Sequence, residues 1–173
     1  FRQHNATQFF ESFSEASATV YYLMIGKSMP FTSGTSGGSD DSPPTPADDI
    51  SSEFYTWDSA IAAKKITTSN ISKVIPRRDW ANSTTYDMYE DNISASNTTT
   101  SGATNIFDST FYFRTEDNRV YLVLDNNGGA AYSGTFPTST STSSFVLGGY
   151  TLKYLYTISA SQSATFLTTD FMP

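Results

Sequence analysis

The residues best suited to chemistry lie together in one short segment, Lys73–Trp80. In it a β-branched stretch ends at a proline, and two guanidinium groups, a carboxylate and an indole follow directly. Guanidinium groups bind carboxylates and carbonyls through paired hydrogen bonds, and an indole fills apolar pockets, so this combination is typical of protein–protein interfaces. Adjacent arginines are rarely both buried. The predicted interface residues are Arg77, Arg78, Asp79 and Trp80, with Pro43, Pro44 and Pro46 in second place.

Two simpler interpretations of this segment remain open. Asp79 could pair with one of the arginines in a solvated surface turn, since exposed ion pairs are common and contribute little. Trp80 could instead fill a gap in the core. Replacing both Arg77 and Arg78 with Ala tests the interface interpretation. The variant should fold and bind its partner more weakly, whereas unfolding would show that these residues are structural.

The residues usually needed for catalysis or metal binding are scarce. The chain has no Cys and a single His, His4, close to its first residue, so neither a thiolate metal site nor a histidine-based catalytic centre is expected. The acidic pairs Asp40–Asp41 and Asp48–Asp49 lack the alternating spacing of a calcium loop. Glu116–Asp117 lies in a turn, where adjacent carboxylates point apart. We predict no catalytic, cofactor-binding or metal-binding residue, and no enzyme.

Charge and composition exclude two further classes of partner. The net charge is −7 and the ten Lys and Arg are scattered, so no phosphate-binding stripe and no nucleic-acid partner are expected. No apolar stretch is long enough for membrane insertion. Ser and Thr supply 51 of the 173 residues and aromatic residues 15%, which suits a β-rich extracellular or virion protein.

Periodicity predicts two helices and about five strands. Phe9, Phe10 and Phe13 at helical spacing predict a helix over Asn5–Ala18, capped by Asn5. A second helix is predicted over Ser52–Lys65, and a short helical turn over Ser161–Leu167. The apolar run Thr19–Gly26 predicts a strand covered on both faces.

The C-terminal half shows clear strand alternation. Phe111–Arg114 and Arg119–Leu124 predict a hairpin, and Tyr150–Ile158 alternates between apolar and polar residues. Without a βαβ rhythm, the pattern indicates a mainly β fold, a layered β-sandwich with helices inserted in its connecting loops. We expect one domain over 1–173, with flexible loops at 32–49 and 94–104.

Four pieces of the chain, in order, resemble the baseplate wedge subunit of contractile-tailed bacteriophages of the T-even type and their cyanophage relatives. They are Phe1–Phe31 with its YYLMIGKSMPF end, Pro43–Trp57, Val74–Trp80 (VIPRRDW) with Tyr86 and Tyr89, and Asn118–Gly129 (NRVYLVLDNNGG) followed by Gly149–Ile158. Two departures are modest: relatives often have Asp where this chain has Gly149, and Trp where it has Leu152.

The resemblance implies a structural virion protein without enzymatic activity or cofactor. It further implies a homodimer that contacts other wedge proteins in the tail baseplate and is assembled in the host bacterial cytoplasm. Family members are longer, so we expect this chain to be the N-terminal part of a longer protein. A carbohydrate-binding or adhesin-like β-sandwich is the alternative, since the tyrosines of Tyr150–Tyr156 could form a stacking face for sugars.

Overall fold

The computed structural model describes residues 1–26, 57 and 60–173. The chain divides into two compact units, Phe1–Lys73 and Val74–Pro173. The predicted organisation as one sandwich domain stays a prediction. The loop 32–49 and the prolines Pro43, Pro44 and Pro46 lie outside the described residues.

The first unit contains one helix and a two-stranded antiparallel sheet. Helix α1 covers Arg2–Glu11, and strand β1 (Tyr21–Gly26) pairs with strand β2 (Ala60–Ile66). A 3-10 turn follows at Thr68–Asn70. The rings of Phe9 and Phe13 stack near Tyr21, with centroids 5.4 and 4.5 Å from its ring, so the predicted aromatic stripe packs the helix against the start of β1.

The first helix is shifted from its predicted range. It ends at Glu11 instead of Ala18, and Asn5 lies inside it rather than at its cap. The Ser12 hydroxyl donates to the carbonyl of Phe9 (2.7 Å) and bonds the hydroxyl of Tyr21 (3.0 Å). Such local side-chain bonds compete with helix continuation.

The predicted helix over Ser52–Lys65 is wrong where it overlaps β2. Ala60–Ile66 is a strand, and of the remaining predicted residues only Trp57 is described. Alanine and lysine favour helices, but propensity is a weak preference that pairing with β1 overrides. The prediction that both faces of β1 are covered is also wrong, because Leu23 and Ile25 are more than half exposed.

The second unit is built on a four-stranded antiparallel sheet. Its strands are β4 (Tyr112–Arg114), β5 (Arg119–Asp125), β6 (Phe145–Leu147) and β7 (Tyr150–Thr157), in the order β4-β5-β7-β6. Two short strands, β3 (Ile75–Pro76) and β8 (Phe171–Met172), pair separately. Helix α2 (Ala160–Phe166) lies in the connection between β7 and β8.

Several predictions for this unit are confirmed. The hairpin forms as β4–β5, Tyr150–Thr157 is a strand, and α2 occupies the predicted helical turn with a capping box between Ser159 and Gln162. The fold is mainly β, as predicted. The layering of two sheets into a sandwich stays a prediction.

The core of the second unit is unusually rich in tyrosine. Its larger cluster contains Tyr86, Phe113, Tyr121, Val123, Tyr132, Tyr150 and Leu152, and its smaller one Tyr112, Val120, Ile158 and Met172. The hydroxyls of Tyr121, Tyr132 and Tyr150 donate to backbone carbonyls of the long connections at 2.8, 2.9 and 2.6 Å. Each ring is thus buried while its hydroxyl group holds a loop through a hydrogen bond.

No helix within the described ranges has the length and apolar character needed to cross a lipid bilayer.

Candidate functional site

The predicted interface segment is held by backbone hydrogen bonds on both sides. The amide of Arg77 donates to the carbonyl of Asp170 (2.8 Å), which continues the β3–β8 pairing. The amide of Arg114 donates to the carbonyl of Arg78 (2.7 Å), and the amide of Trp80 donates to that of Arg114 (2.8 Å). The segment therefore lies between the last strand and the β4–β5 hairpin.

Asp79 is the centre of a charged cluster. Arg77 Nε and Nη2 donate to its Oδ2 at 2.8 and 2.7 Å, and Arg114 Nε and Nη2 donate to its Oδ1 at the same two distances. Partial burial pushes the pKa of Asp79 up, but the hydrogen bonds and charges of the two arginines outweigh this and hold the pKa below its usual value. The predicted pairing of Asp79 with one arginine thus becomes pairing with two.

Arg77 also fastens the C-terminal turn, since its Nη1 donates to the carbonyl of Thr168 (2.8 Å). Arg78 points elsewhere, and its Nη2 donates to the carbonyl of Asp108 (3.0 Å). The Nε of Arg78 is buried without a hydrogen-bond acceptor among the described residues. The two adjacent arginines therefore brace different loops and do not form a single binding surface.

Trp80 packs at the edge of the larger core cluster. Its ring meets those of Tyr132 and Phe136 edge to face, at centroid distances of 5.9 and 5.7 Å. Its indole Nε1 is buried and has no acceptor in the described part of the chain. This geometry favours the alternative that Trp80 fills the core.

The exposed part of this region is apolar with a charged border. Val74, Ile75 and Phe171 are 43%, 39% and 44% exposed, and the side chain of Asp79 is 44% exposed beside that of Arg77 at 26%. Pairing of β3 with β8 places Ile75 opposite Met172 and Phe171 opposite Pro76, so Ile75 and Phe171 lie on the two faces of one short strand pair. Val74, Ile75, Arg77, Asp79 and Phe171 are named the β3–β8 patch.

Sequence reasoning missed two residues that organise this unit. Arg114, 35 positions from Asp79, completes the charged cluster and also donates to Asn118 Oδ1 (2.7 Å). Asp87 is fully buried and accepts four hydrogen bonds. No local sequence signal marks either residue, since their partners lie on other elements.

Asp87 fastens the loop predicted to be flexible at 94–104. Its Oδ1 accepts from the amide of Ser101 (2.7 Å), and its Oδ2 accepts from the Ser101 hydroxyl (2.7 Å), the Ser109 hydroxyl (2.9 Å) and the amide of Thr110 (2.8 Å). Burial raises the pKa of Asp87, but these donors lower it further, to about 2. The flexibility of the loop stays a prediction, although these contacts favour order at Ser101.

The tyrosines that could have formed an exposed sugar-binding face are buried or half-buried, which disfavours the carbohydrate-binding alternative. Tyr150 is fully buried, and Tyr154 and Tyr156 are half-buried against the two core clusters. Within the described ranges, no group of three His, Cys, Asp or Glu side chains is placed to hold a metal ion.

The comparisons with known proteins identify a phage structural protein of the tail baseplate. The family described as "Bacteriophage T4, Gp8" matches residues 1–125, which include both candidate arginines and the β4–β5 hairpin. The chain belongs to this family, and it is a baseplate wedge protein of the T4 type. No curated protein and no solved structure matches the chain.

Proposed function

We propose that this chain assembles into the wedge of a contractile-tail baseplate through protein–protein contacts and has no catalytic role. The observation that carries the proposal is the family match over residues 1–125. The fold agrees with such a role, because its charged and polar clusters fasten loops and strands to one another. The proposed location is the virion tail, with assembly in the host bacterial cytoplasm.

The β3–β8 patch is the proposed contact with other wedge proteins in this unit. Interfaces generally combine an apolar centre with a polar rim and use arginine at the border. Phe171 supplies apolar area, and Arg77, which hydrogen-bonds Asp170 and Thr168, supplies hydrogen-bonding groups near it together with Asp79. Because Arg114 already orients the Asp79 carboxylate, the partner meets a charged group of fixed geometry, which lowers the entropic cost of binding.

Two other residues of the predicted interface, Arg78 and Trp80, hold the backbone that carries the patch. Arg78 braces the loop at Asp108, and Trp80 packs on the core. Their replacement would weaken binding by displacing the backbone that carries Arg77 and Asp79. The proposed contact of Pro43, Pro44 and Pro46 has no structural account.

We also propose that the chain forms a homodimer, as the family resemblance implies. Sedimentation equilibrium of the purified chain tests this directly. A dimer mass that persists at micromolar concentration is expected, and a monomer mass throughout would contradict it.

Immunogold electron microscopy of the contractile phage particles tests the proposed location. Antibody raised against this chain is expected to place gold at the baseplate. Absence of label there, with the epitopes shown to be accessible in disrupted particles, would overturn the baseplate role.

Binding of each other wedge protein of the same phage, purified singly, tests the β3–β8 patch. Phe171→Ser and Arg77→Ala should each weaken the affinity at least about tenfold, because the first removes apolar contact area and the second removes hydrogen bonds at the border of the patch. Val146→Ser is the matched control, since Val146 is 72% exposed on β6, outside the patch. Equal affinities for all three variants and the unmodified chain would show that the patch is not the contact.

A further inference from the structure

The connection that leaves β5 begins with a tight turn over Asn126–Gly129. The amide of Gly129 donates to the carbonyl of Asn126 (3.1 Å), which closes the turn. The two central residues, Asn127 and Gly128, have φ values of +56° and +65°. Positive φ at both central residues is the mark of a type I′ turn, for which Asn-Gly is a preferred sequence. The turn thus places an exposed asparagine directly before an exposed glycine.

An asparagine side chain can be attacked by the main-chain nitrogen of the residue that follows it, and this makes asparagine a thermolabile residue. Glycine in the following position favours the attack, because it has no Cβ to shield its nitrogen or to restrict its rotation. Of the nine asparagines in the sequence, Asn127 is the one that precedes glycine. A Cβ built at Gly128 would meet no atom within 4 Å, so the space beside this residue is open.

Neither reacting group of this turn is held by a hydrogen bond within the described part of the chain. The amide of Gly128 has no acceptor there, and the side-chain carboxamide of Asn127 has no hydrogen-bond partner there. The main chain of Asn127 is restrained, since its amide donates to Asp125 Oδ1 (2.7 Å). The carboxamide carbon and the nitrogen that attacks it are therefore both accessible to solvent and free to approach each other.

The preceding asparagine is protected by the same turn. Asn126 is 6% exposed, and its Nδ2 donates to the carbonyl of Tyr86 (3.0 Å) and to the hydroxyl of Thr100 (3.1 Å). The nitrogen that would attack Asn126 belongs to Asn127, and its N–H group is bound to Asp125. Two adjacent asparagines thus differ sharply in how firmly their reacting groups are held.

A third asparagine, Asn82, also precedes a small residue, Ser83. Its Oδ1 accepts hydrogen bonds from the amides of Ser83 (2.9 Å) and Gly134 (3.1 Å). Both the carboxamide and the nitrogen that would attack it are therefore engaged in hydrogen bonds. Asn82 should react more slowly than Asn127.

We propose that Asn127 is a site of spontaneous deamidation in the folded chain. The nitrogen of Gly128 attacks Cγ of Asn127 and loses its proton to solvent, and the side-chain nitrogen leaves as ammonia. Water then adds to the resulting cyclic succinimide. Cleavage of its bond to Cγ gives aspartate, and cleavage of its bond to the main-chain carbonyl carbon gives isoaspartate. The sum is exchange of NH2 for OH, without oxidant or reductant. The reaction needs no partner protein and is independent of the proposed baseplate function.

The isoaspartate product lengthens the main chain by one methylene group in a turn that is anchored on both sides. On one side, the side chain of Asn126 holds the carbonyl of Tyr86. On the other side, the carbonyl of Ala130 accepts from the hydroxyl of Tyr150 (2.6 Å). Displacement of either anchor leaves a buried polar group without its partner, which costs stability. Chains that have reacted should therefore unfold at a lower urea concentration than fresh chains.

The experiment incubates the purified full chain in mildly alkaline buffer at physiological temperature, because loss of the proton from the attacking nitrogen is favoured there. Trypsin then releases the peptide Val120–Lys153, whose two asparagines are Asn126 and Asn127. Tandem mass spectrometry locates the exchange of NH2 for OH, and protein isoaspartate methyltransferase detects isoaspartate. A sample unfolded in guanidinium chloride is incubated in parallel.

Gly128→Ala is the test variant, and Gly102→Ala is its matched control. Both glycines have positive φ, +65° and +84°, and a Cβ at either one would meet no atom within 4 Å, so the two exchanges carry a similar steric cost. Gly102 follows Ser101 instead of an asparagine. A difference between the two variants in the rate at Asn127 therefore reports on the attacking nitrogen.

Asn127 is expected to react before every other asparagine of the folded chain and to give both products. Gly128→Ala should slow this reaction at least about tenfold, equivalent to about 1.4 kcal/mol in the barrier, whereas Gly102→Ala should leave the rate unchanged.

Three results would overturn the assignment of Asn127. Faster reaction at another asparagine of the folded chain would place the site elsewhere. Reaction at Asn127 in guanidinium chloride but not in the folded chain would show that the turn protects this residue. An equal rate in Gly128→Ala and the original chain would show that the glycine does not expose the nitrogen. Unchanged urea unfolding after the reaction would overturn the anchoring role given to the turn.

Discussion

Replacement of Asp87 with Asn should destabilise the second unit more than any other exchange of an acid for its amide. The four donors around Asp87 include two backbone amides, one on each carboxylate oxygen. Hydroxyl donors can rotate, but backbone N–H groups cannot. Whichever way the Asn amide is oriented, its NH2 group therefore faces either the amide of Ser101 or that of Thr110.

The shift in the pKa of Asp87 on folding sets the size of the expected loss in unfolding free energy. Folding lowers it from 3.8 to about 2, which corresponds to about 2 kcal/mol of stability at neutral pH. Because the folded carboxyl ionises at lower pH than the unfolded one, this contribution is fully present above about pH 5 and is lost as the pH falls from about 4 to 2. With the opposed amide donors added, Asp87→Asn should cost about 2–4 kcal/mol.

Urea unfolding followed by tyrosine and tryptophan fluorescence at pH 7 and pH 3 measures this cost. Asp91→Asn is the control, since Asp91 is exposed, and it should change the free energy of unfolding by less than about 0.5 kcal/mol. The difference between variant and unmodified chain should be smaller at pH 3.

Hydrogen exchange provides the second readout for Asp87. The amide of Ser101 should exchange slowly in the unmodified chain and faster in Asp87→Asn. An unfolding free energy within about 0.5 kcal/mol of the unmodified chain, or an unprotected Ser101 amide in it, would refute the role assigned to Asp87.

Two further substitutions test the tyrosine-rich core by the same unfolding assay. Gly148→Ala should cost about 2–4 kcal/mol of unfolding free energy, because φ is +63° and the new Cβ would lie 2.6 Å from Cζ of Tyr132. Gly102→Ala is the control and should cost about 1 kcal/mol, because φ is +84° and no atom lies within 4 Å of the new Cβ. Equal losses of stability in the two variants would exclude the clash with Tyr132. Tyr150→Phe removes a hydroxyl that accepts from a backbone amide at 3.1 Å and donates to a carbonyl at 2.6 Å, so it should cost about 1–3 kcal/mol, whereas Tyr22→Phe on an exposed side chain should be neutral.

Local patterns predicted strands β4, β5 and β7 of the second unit but not β6 and β8. The hairpin β4–β5 and strand β7 follow from alternation and a turn between them, which are properties of neighbouring residues. At Ala60–Ile66 the local sequence pattern gives the wrong secondary structure. Its alanines and lysines favour a helix locally, and only pairing with β1, far away in the sequence, makes it a strand.

The candidate site shows the same division between near and distant partners. Pairing of Asp79 with one of the two adjacent arginines was an alternative that the sequence left open, and the structure pairs it with Arg77. The second guanidinium on Asp79 comes from Arg114, and the packing of Trp80 depends on Tyr132 and Phe136. These partners lie on elements distant in sequence, so no local pattern could supply them.

The sequence by itself therefore determined the mainly β character, the strand alternation, the scarcity of catalytic residue types and the resemblance to the baseplate family. Each depends on residue types and short spacings. Only the tertiary structure decided that Arg78 hydrogen-bonds the carbonyl of Asp108, that Trp80 packs against Tyr132 and Phe136, and that Asp87 fastens a loop. Burial and hydrogen bonding depend on which distant segments meet, and that is settled only when the whole chain has folded.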